Sequence, residues 1–154
     1  MKIKGKQLHT VMAGLLGILA GAQNAKIIRE ATALRKEIES AIAARSELHD
    51  ALNRLVDILE IVVDPKATVK TVRKIIVKLL EGKLSDAKAP IAVEALGIID
   101  GLLAAEEEEI DLLRPHISLT DEQIEKLCSR QNANGPLCTG EHIALAEPIL
   151  SFDA

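Results

Sequence analysis

The sequence predicts an all-α fold: an antiparallel bundle of three to four main helices, with one long spine helix, a short capped helix and an irregular C-terminal strap. Three observations lead there. Apolar and small residues recur at Ala31, Leu34, Ile38, Ala41, Leu48, Leu52, Leu55, Leu59 and Val62, in alternating steps of three and four broken only at Arg45, the rhythm of a helix pressing one stripe against other helices. Hydrophobic residues make up 48% of the 154 residues while aromatics make up 1%, with one Phe and no Trp or Tyr, a composition that favours helices over sheets. Proline and glycine at Pro65, Gly82, Pro90 and Pro115 separate the periodic runs, as helix starts and stops require.

Composition also bounds function. The length is that of one domain with one real core. A net charge of −4 argues against duplex nucleic acid, because phosphate backbones are bound by an excess of Lys and Arg. The scarcity of aromatics removes the stacking platforms that single-stranded nucleic acids and sugars use. Mean hydropathy is +0.18 with 27% charged residues, which requires a large buried fraction or apolar surface meeting a membrane or another chain. The expected divisions are an N-terminal apolar segment at 1–25, a helical bundle at 26–131 and an irregular tail at 132–154.

Residues 1–25 carry two readings. Lys2, Lys4 and Lys6, an uncharged apolar run from 11 to 21, and Ala20-Gly21-Ala22 before Gln23 have the three parts of a secretory signal peptide. The run is shorter than the roughly 20 residues that usually span a bilayer. The alternative is a retained helix, in which Ala13, Gly17, Gly21 and Ala25 form a small-residue stripe that lets helix backbones approach closely. Localisation follows from that choice: export or membrane association if 1–25 is a targeting segment, cytoplasm or an assembly otherwise.

The spine is expected over 27–63, its stripe widened by Ile42 and Val56 as suits a globular bundle. Asp64 is expected to cap a second helix starting at Pro65 and ending at Gly82 in a left-handed conformation. One face of that helix is basic: Lys70, Arg73, Lys74 and Lys78. After a loop at 83–89, Pro90 opens a third helix expected to reach Arg114. It carries an acidic run, Glu106, Glu107, Glu108 and Glu109, and no Lys or Arg between 94 and 113. A short loop makes consecutive helices antiparallel neighbours, which sets Lys66 and Lys70 beside the acidic end. Gly97, Gly101 and Ala105 form a second small stripe, expected to meet the one at Ala13, Gly17 and Gly21 within the chain or in another copy. Thr120 and Gln123 form a capping box for a short helix at 120–130, with Leu119 and Ile124 as its hydrophobic staple.

Chemistry-bearing residues are few. Cys128 and Cys138 flank a Gly-Pro loop ten positions apart and are a disulfide candidate, in keeping with a signal-like N-terminus. Joining His142 or His116 to them matches no common zinc spacing, so no metal is expected, and Cys128 with His142 shows no sign of an activated nucleophile. The glutamate run points its carboxylates around the helix axis rather than at one cation. Gly14, Gly17 and Gly21 lack the following Lys-Ser or Lys-Thr of a phosphate loop. No cofactor and no small-molecule substrate are expected. The expected function is a non-catalytic structural or adaptor protein acting through self-association, as a homo-oligomer, or within a larger assembly. The alternative is a membrane-active protein that inserts 1–25 and rests the basic helix on lipid headgroups.

Overall fold

A computed structural model describes residues 1–82 and 84–153; Lys83, in the loop expected at 83–89, and Ala154, at the end of the expected tail, lie outside the described residues. The chain is mostly helical, with α1 (Leu8–Gly21), α2 (Ala25–Ile58), α3 (Val69–Glu81), α4 (Ala89–Glu107), α5 (Asp121–Ser129) and α6 (Gly140–Leu145). Short strands accompany them: β1 (Lys2–Lys4), β2 (Glu109–Asp111), β3 (Ile117–Thr120), β4 (Gln131–Asn132), β5 (Gly135–Pro136) and β6 (Leu150–Asp153).

In place of one bundle, the chain divides into two compact units, Met1–Ile42 with Glu109–Ala154, and Ala43–Glu108. The boundary falls inside α2. Ala31, Leu34 and Ile38 are fully buried in the first unit's core and Leu52 and Leu59 nearly so in the second's, while Leu48 between them is 37% exposed. One periodic stripe therefore serves two cores. Arg45, the residue that breaks the stripe, lies in the second unit with its side chain only 18% exposed and Nη2 3.2 Å from Glu108 Oε2.

In the first unit α1 is the centre of the core. Leu8, Val11, Leu15 and Ile18 are at most 1% exposed, and α6 and α5 pack against the helix. Lys2 and Lys4, ahead of α1, lie in β1. β1 pairs antiparallel with β2 in the register Lys2↔Asp111, Ile3↔Ile110, Lys4↔Glu109, which sets opposite charges across the ladder and stacks the two isoleucines, both favourable cross-strand arrangements. The Met1 ammonium donates to the Leu112 carbonyl at 3.1 Å. The same pairing corrects the third helix: α4 ends at Glu107 instead of reaching Arg114, because continuing it would stack like charges along one turn, whereas the extended chain alternates Glu109 and Asp111 toward lysines.

Helix ends explain the other shifts. α2 stops at Ile58, not Val63, in a Schellman motif: Glu60 is left-handed with φ 59°, and Ile61 N–H reaches Val56 O at 3.2 Å while Glu60 N–H reaches Asp57 O at 3.0 Å. Asp64 does not cap α3. Its Oδ1 accepts Lys66 N–H at 2.9 Å in a local turn, and Thr68 is the cap, accepting Thr71 N–H at 3.3 Å. Gly82 closes α3 with φ −96°, so it is not left-handed. The box at Thr120 and Gln123 is formed on both sides, at 2.9 and 3.2 Å.

The described part of the tail, 132–153, forms regular elements rather than an irregular strap. β4 and β5 make a two-residue hairpin, with Gly135 at φ +111°. Thr139 and His142 form a second capping box at the start of α6. β6 then runs parallel to β3, Ile117 opposite Leu150 and Leu119 opposite Phe152, and Ile149 and Leu119 are fully buried.

Candidate functional site

The chemistry-bearing side chains meet on the glycine face of α1. Thr139 N–H donates to His142 Nδ1 at 3.0 Å, which leaves the proton of a neutral ring on Nε2. The ring lies on Gly17. A Cβ built on Gly17 would strike His142 Cγ and Cδ2 and come within 2.7 Å of its Cβ; one on Gly14 would come within 2.5 Å of Ala146 N, and one on Gly21 within 2.7 Å of Cys138 Cβ. The absent side chains admit α6 and Ala146 after it at Gly14 and Gly17, and Leu127 of α5 and Cys138 at Gly21. The close-packing stripe is thus Gly14, Gly17 and Gly21, whereas Ala13, expected in it, is exposed. Its partners are the C-terminal elements of the same unit, not Gly97 and Gly101.

Cys128 and Cys138 are both free thiols, which corrects the expected disulfide. Cys138 is fully buried and its Sγ lies 3.9 Å from Thr139 O. Burial, and then the neighbouring Cys128 through charge and a hydrogen bond, push the Cys138 thiol from 9.0 up to about 11. The two sulfurs are hydrogen-bonding neighbours, and the Cys138 thiol is held in protonated form. A thiol so raised is a poor nucleophile and a poor metal ligand, both of which need the thiolate. No group of three or more His, Cys, Asp or Glu placed to hold a metal ion occurs among the described residues.

The charged faces separate. On α3, Lys70, Lys74 and Lys78 are exposed and Arg73 Nε bonds Asp100 Oδ1 of α4 at 3.1 Å. Of the acidic run, Glu106 is exposed and Glu107 is the last residue of α4. Glu108 takes Arg45, and Glu109 lies in β2 with its carboxylate 3.8 Å from Lys2 Nζ. The acid–base match between the two helices therefore runs through Arg73 and Asp100, about two turns from where the run of glutamates placed it.

Two surfaces remain open. On α4, Ala92, Ala95, Ile99 and Leu102 are buried, while the opposite side exposes Val93 at 60% and places Gly97 and Gly101 where an added Cβ meets nothing within 4 Å. On α2, a groove of about 450 Å³ is lined by Ile28, Arg29, Thr32, Ala33, Lys36 and Glu37, with Arg114 across from them. A cleft of about 480 Å³ beside α5 offers less, since its polar groups are already used: Asn24 Oδ1 accepts Lys26 N–H at 2.8 Å, Thr120 and Gln123 cap α5, and Lys126 bonds Glu122 at 3.4 Å. The broad apolar arc of α4 predicts the most buried helix, and the structure instead leaves the side of Val93 open. The groove had no sequence signal, because Arg114 comes to it from a distant segment. Comparison with family models, with curated proteins and with solved structures found nothing that matches this chain.

Proposed function

We propose that the protein is a non-catalytic helical structural or adaptor component that works by associating with copies of itself or within a larger assembly. The observation that carries this is α4. α4 buries the face of Ala92, Ala95, Ile99 and Leu102 and packs Ile91, Leu96, Ile98 and Leu103 against the same core, yet it leaves Val93 60% exposed on the other side. Glycines at 97 and 101 cost roughly 1 kcal/mol each in helix propensity relative to alanine, and a Cβ added at either would meet nothing within 4 Å among the described residues. A second helix or a second copy laid on that face would repay the cost through close packing. The non-catalytic part is supported by the cluster at α1 and α6: His142 Nδ1 is committed to a helix cap and Cys138 is held protonated. Within each unit the core supports reading the helices as packed antiparallel neighbours, Arg73 and Asp100 setting the register of α3 on α4.

The membrane reading has less support. Val11, Leu15 and Ile18, the side chains that would enter lipid, are fully buried in the first unit, and among the described residues no helix is long and apolar enough to cross a membrane.

Sedimentation velocity and light scattering from micromolar to millimolar protein test the proposal. The expected result is a mass that rises above 16.6 kDa with concentration and falls back in Gly101→Leu, whose added side chain points into open space in the folded monomer. A wild-type protein that stays monomeric and folded throughout the range overturns self-association.

A further inference from the structure

We propose that Cys128 and Cys138 are a site of reversible oxidation, in which Cys128 reacts with a small disulfide from solution and Cys138 resolves the adduct into a Cys128–Cys138 bond. The proposal goes beyond the association proposed above and does not depend on it. Both thiols are free in the fold, so the bond is the product of an encounter with an oxidant and not a support of the resting structure. Backbone geometry brings the two residues together. The ladder of β4 and β5 pairs Asn132 with Gly135 and Gln131 with Pro136, and Leu137 N–H carries it one step further by donating to Arg130 O at 2.9 Å. Cys128 stands two residues before Arg130 and Cys138 directly after Leu137, at the end of that ladder. α1 meets both segments at one point: a Cβ on Gly21 would strike Leu127 O and lie 2.7 Å from Cys138 Cβ. The two sulfurs are within hydrogen-bonding reach of each other.

The cysteines differ in what can reach them. Cys128, in the last turn of α5, is half-buried, whereas Cys138 is fully buried. A disulfide in solution therefore meets Cys128 first. With glutathione disulfide, the Cys128 thiolate attacks one sulfur, the S–S bond breaks, a Cys128–glutathione bond forms and one glutathione thiolate leaves. The Cys138 thiolate then attacks Cys128 Sγ, displaces the second glutathione and completes the bond. Two protein thiols are oxidised, one disulfide is reduced to two thiols, and the protons given up by the cysteines go to the departing glutathione thiolates. With Cys138 raised to about 11, only about one molecule in a thousand presents it as thiolate at pH 8. The second step therefore relies on contact, since groups held together react at effective concentrations far above those of a solute.

The reduced, folded full chain is incubated with glutathione disulfide at pH 8, quenched in acid and read by intact mass spectrometry without reductant. The wild type should end two hydrogens lighter and monomeric. Cys138→Ala should stop one glutathionyl group heavier, and Cys128→Ala should stay unmodified while folded yet react in urea; circular dichroism checks that both variants are helical, and the wild-type result decides by itself if either is not. The lifetime of the wild-type adduct should shorten about tenfold per pH unit from about pH 8 to pH 10, following the ionisation of Cys138. The oxidised protein should unfold at higher urea than the reduced one, because the bond restricts the unfolded chain, and dithiothreitol should reverse both changes. An unreactive wild type, a glutathione adduct that persists in it, disulfide-linked dimers, modification of folded Cys128→Ala, or a urea midpoint lowered by oxidation would each overturn the proposal.

Discussion

The same substitution, Gly→Ala, should act with opposite sign at Gly17 and at Gly101. At Gly17 the new methyl would overlap His142 Cγ and Cδ2 and lie 2.7 Å from its Cβ. Those atoms are near the backbone, so the ring cannot swing clear without α6 moving away from α1. Overpacking of this kind costs about 1–3 kcal/mol, and a displaced His142 gives up its bond from Thr139 N–H, a cap contact of about 1 kcal/mol. Against this stands a gain of up to about 1 kcal/mol from replacing a helical glycine. The net is a loss of about 1–3 kcal/mol for Gly17→Ala. At Gly101 the methyl meets nothing within 4 Å, and only the propensity gain remains, a stabilisation of about 0.5–1 kcal/mol. Urea unfolding followed by circular dichroism, at a concentration where the protein is monomeric, reads both. Gly17→Ala at or above wild-type stability would refute the packing of α6 on α1; a destabilised Gly101→Ala monomer would refute the open face.

Removal of residues 1–22 deletes Ile3, Leu8, Val11, Leu15, Ile18 and Ala22 from the first core, so the first unit should lose protection from limited proteolysis while the fragment 43–108 keeps it; equal protection of both would show that α1 is dispensable. Cys138, pushed up from 9.0 to about 11, should resist iodoacetamide at pH 8 in the native protein and react in urea, with Cys128 alkylated first. Its raised value means that the native state holds its proton where the unfolded chain releases it, so stability is unaffected below pH 9 and falls between pH 9 and pH 11, by roughly 2 kcal/mol. In Cys138→Ala that fall should be absent from the pH dependence of the urea midpoint.

Where local chemistry decides a feature, it could be read residue by residue. The stripe of α2 from Ala31 to Leu59, Pro90 in the first turn of α4 and the box of Thr120 and Gln123 all involve groups within a few turns of one another. The box of Thr139 and His142 escaped because histidine is not the usual third-position partner. The spacing of Cys128 and Cys138 made them a disulfide candidate, yet both are free thiols, because spacing does not say whether two sulfurs bond.

What the sequence by itself determined is therefore the helical character, the material of the cores and the starts of α4 and α5, since backbone propensity, hydrophobic period and capping act over distances of a few residues. Tertiary structure decided the rest. It split one continuous stripe between two units at Ile42, turned a signal-like lysine segment into β1 by supplying Glu109 and Asp111 opposite it, and sent Gly14, Gly17 and Gly21 to α6 and its flanks while leaving Gly97 and Gly101 open. Each of those outcomes depends on which distant segment arrives at a surface. A small-residue stripe or a row of charges specifies the kind of neighbour it accepts, and only the folded chain selects which one it receives.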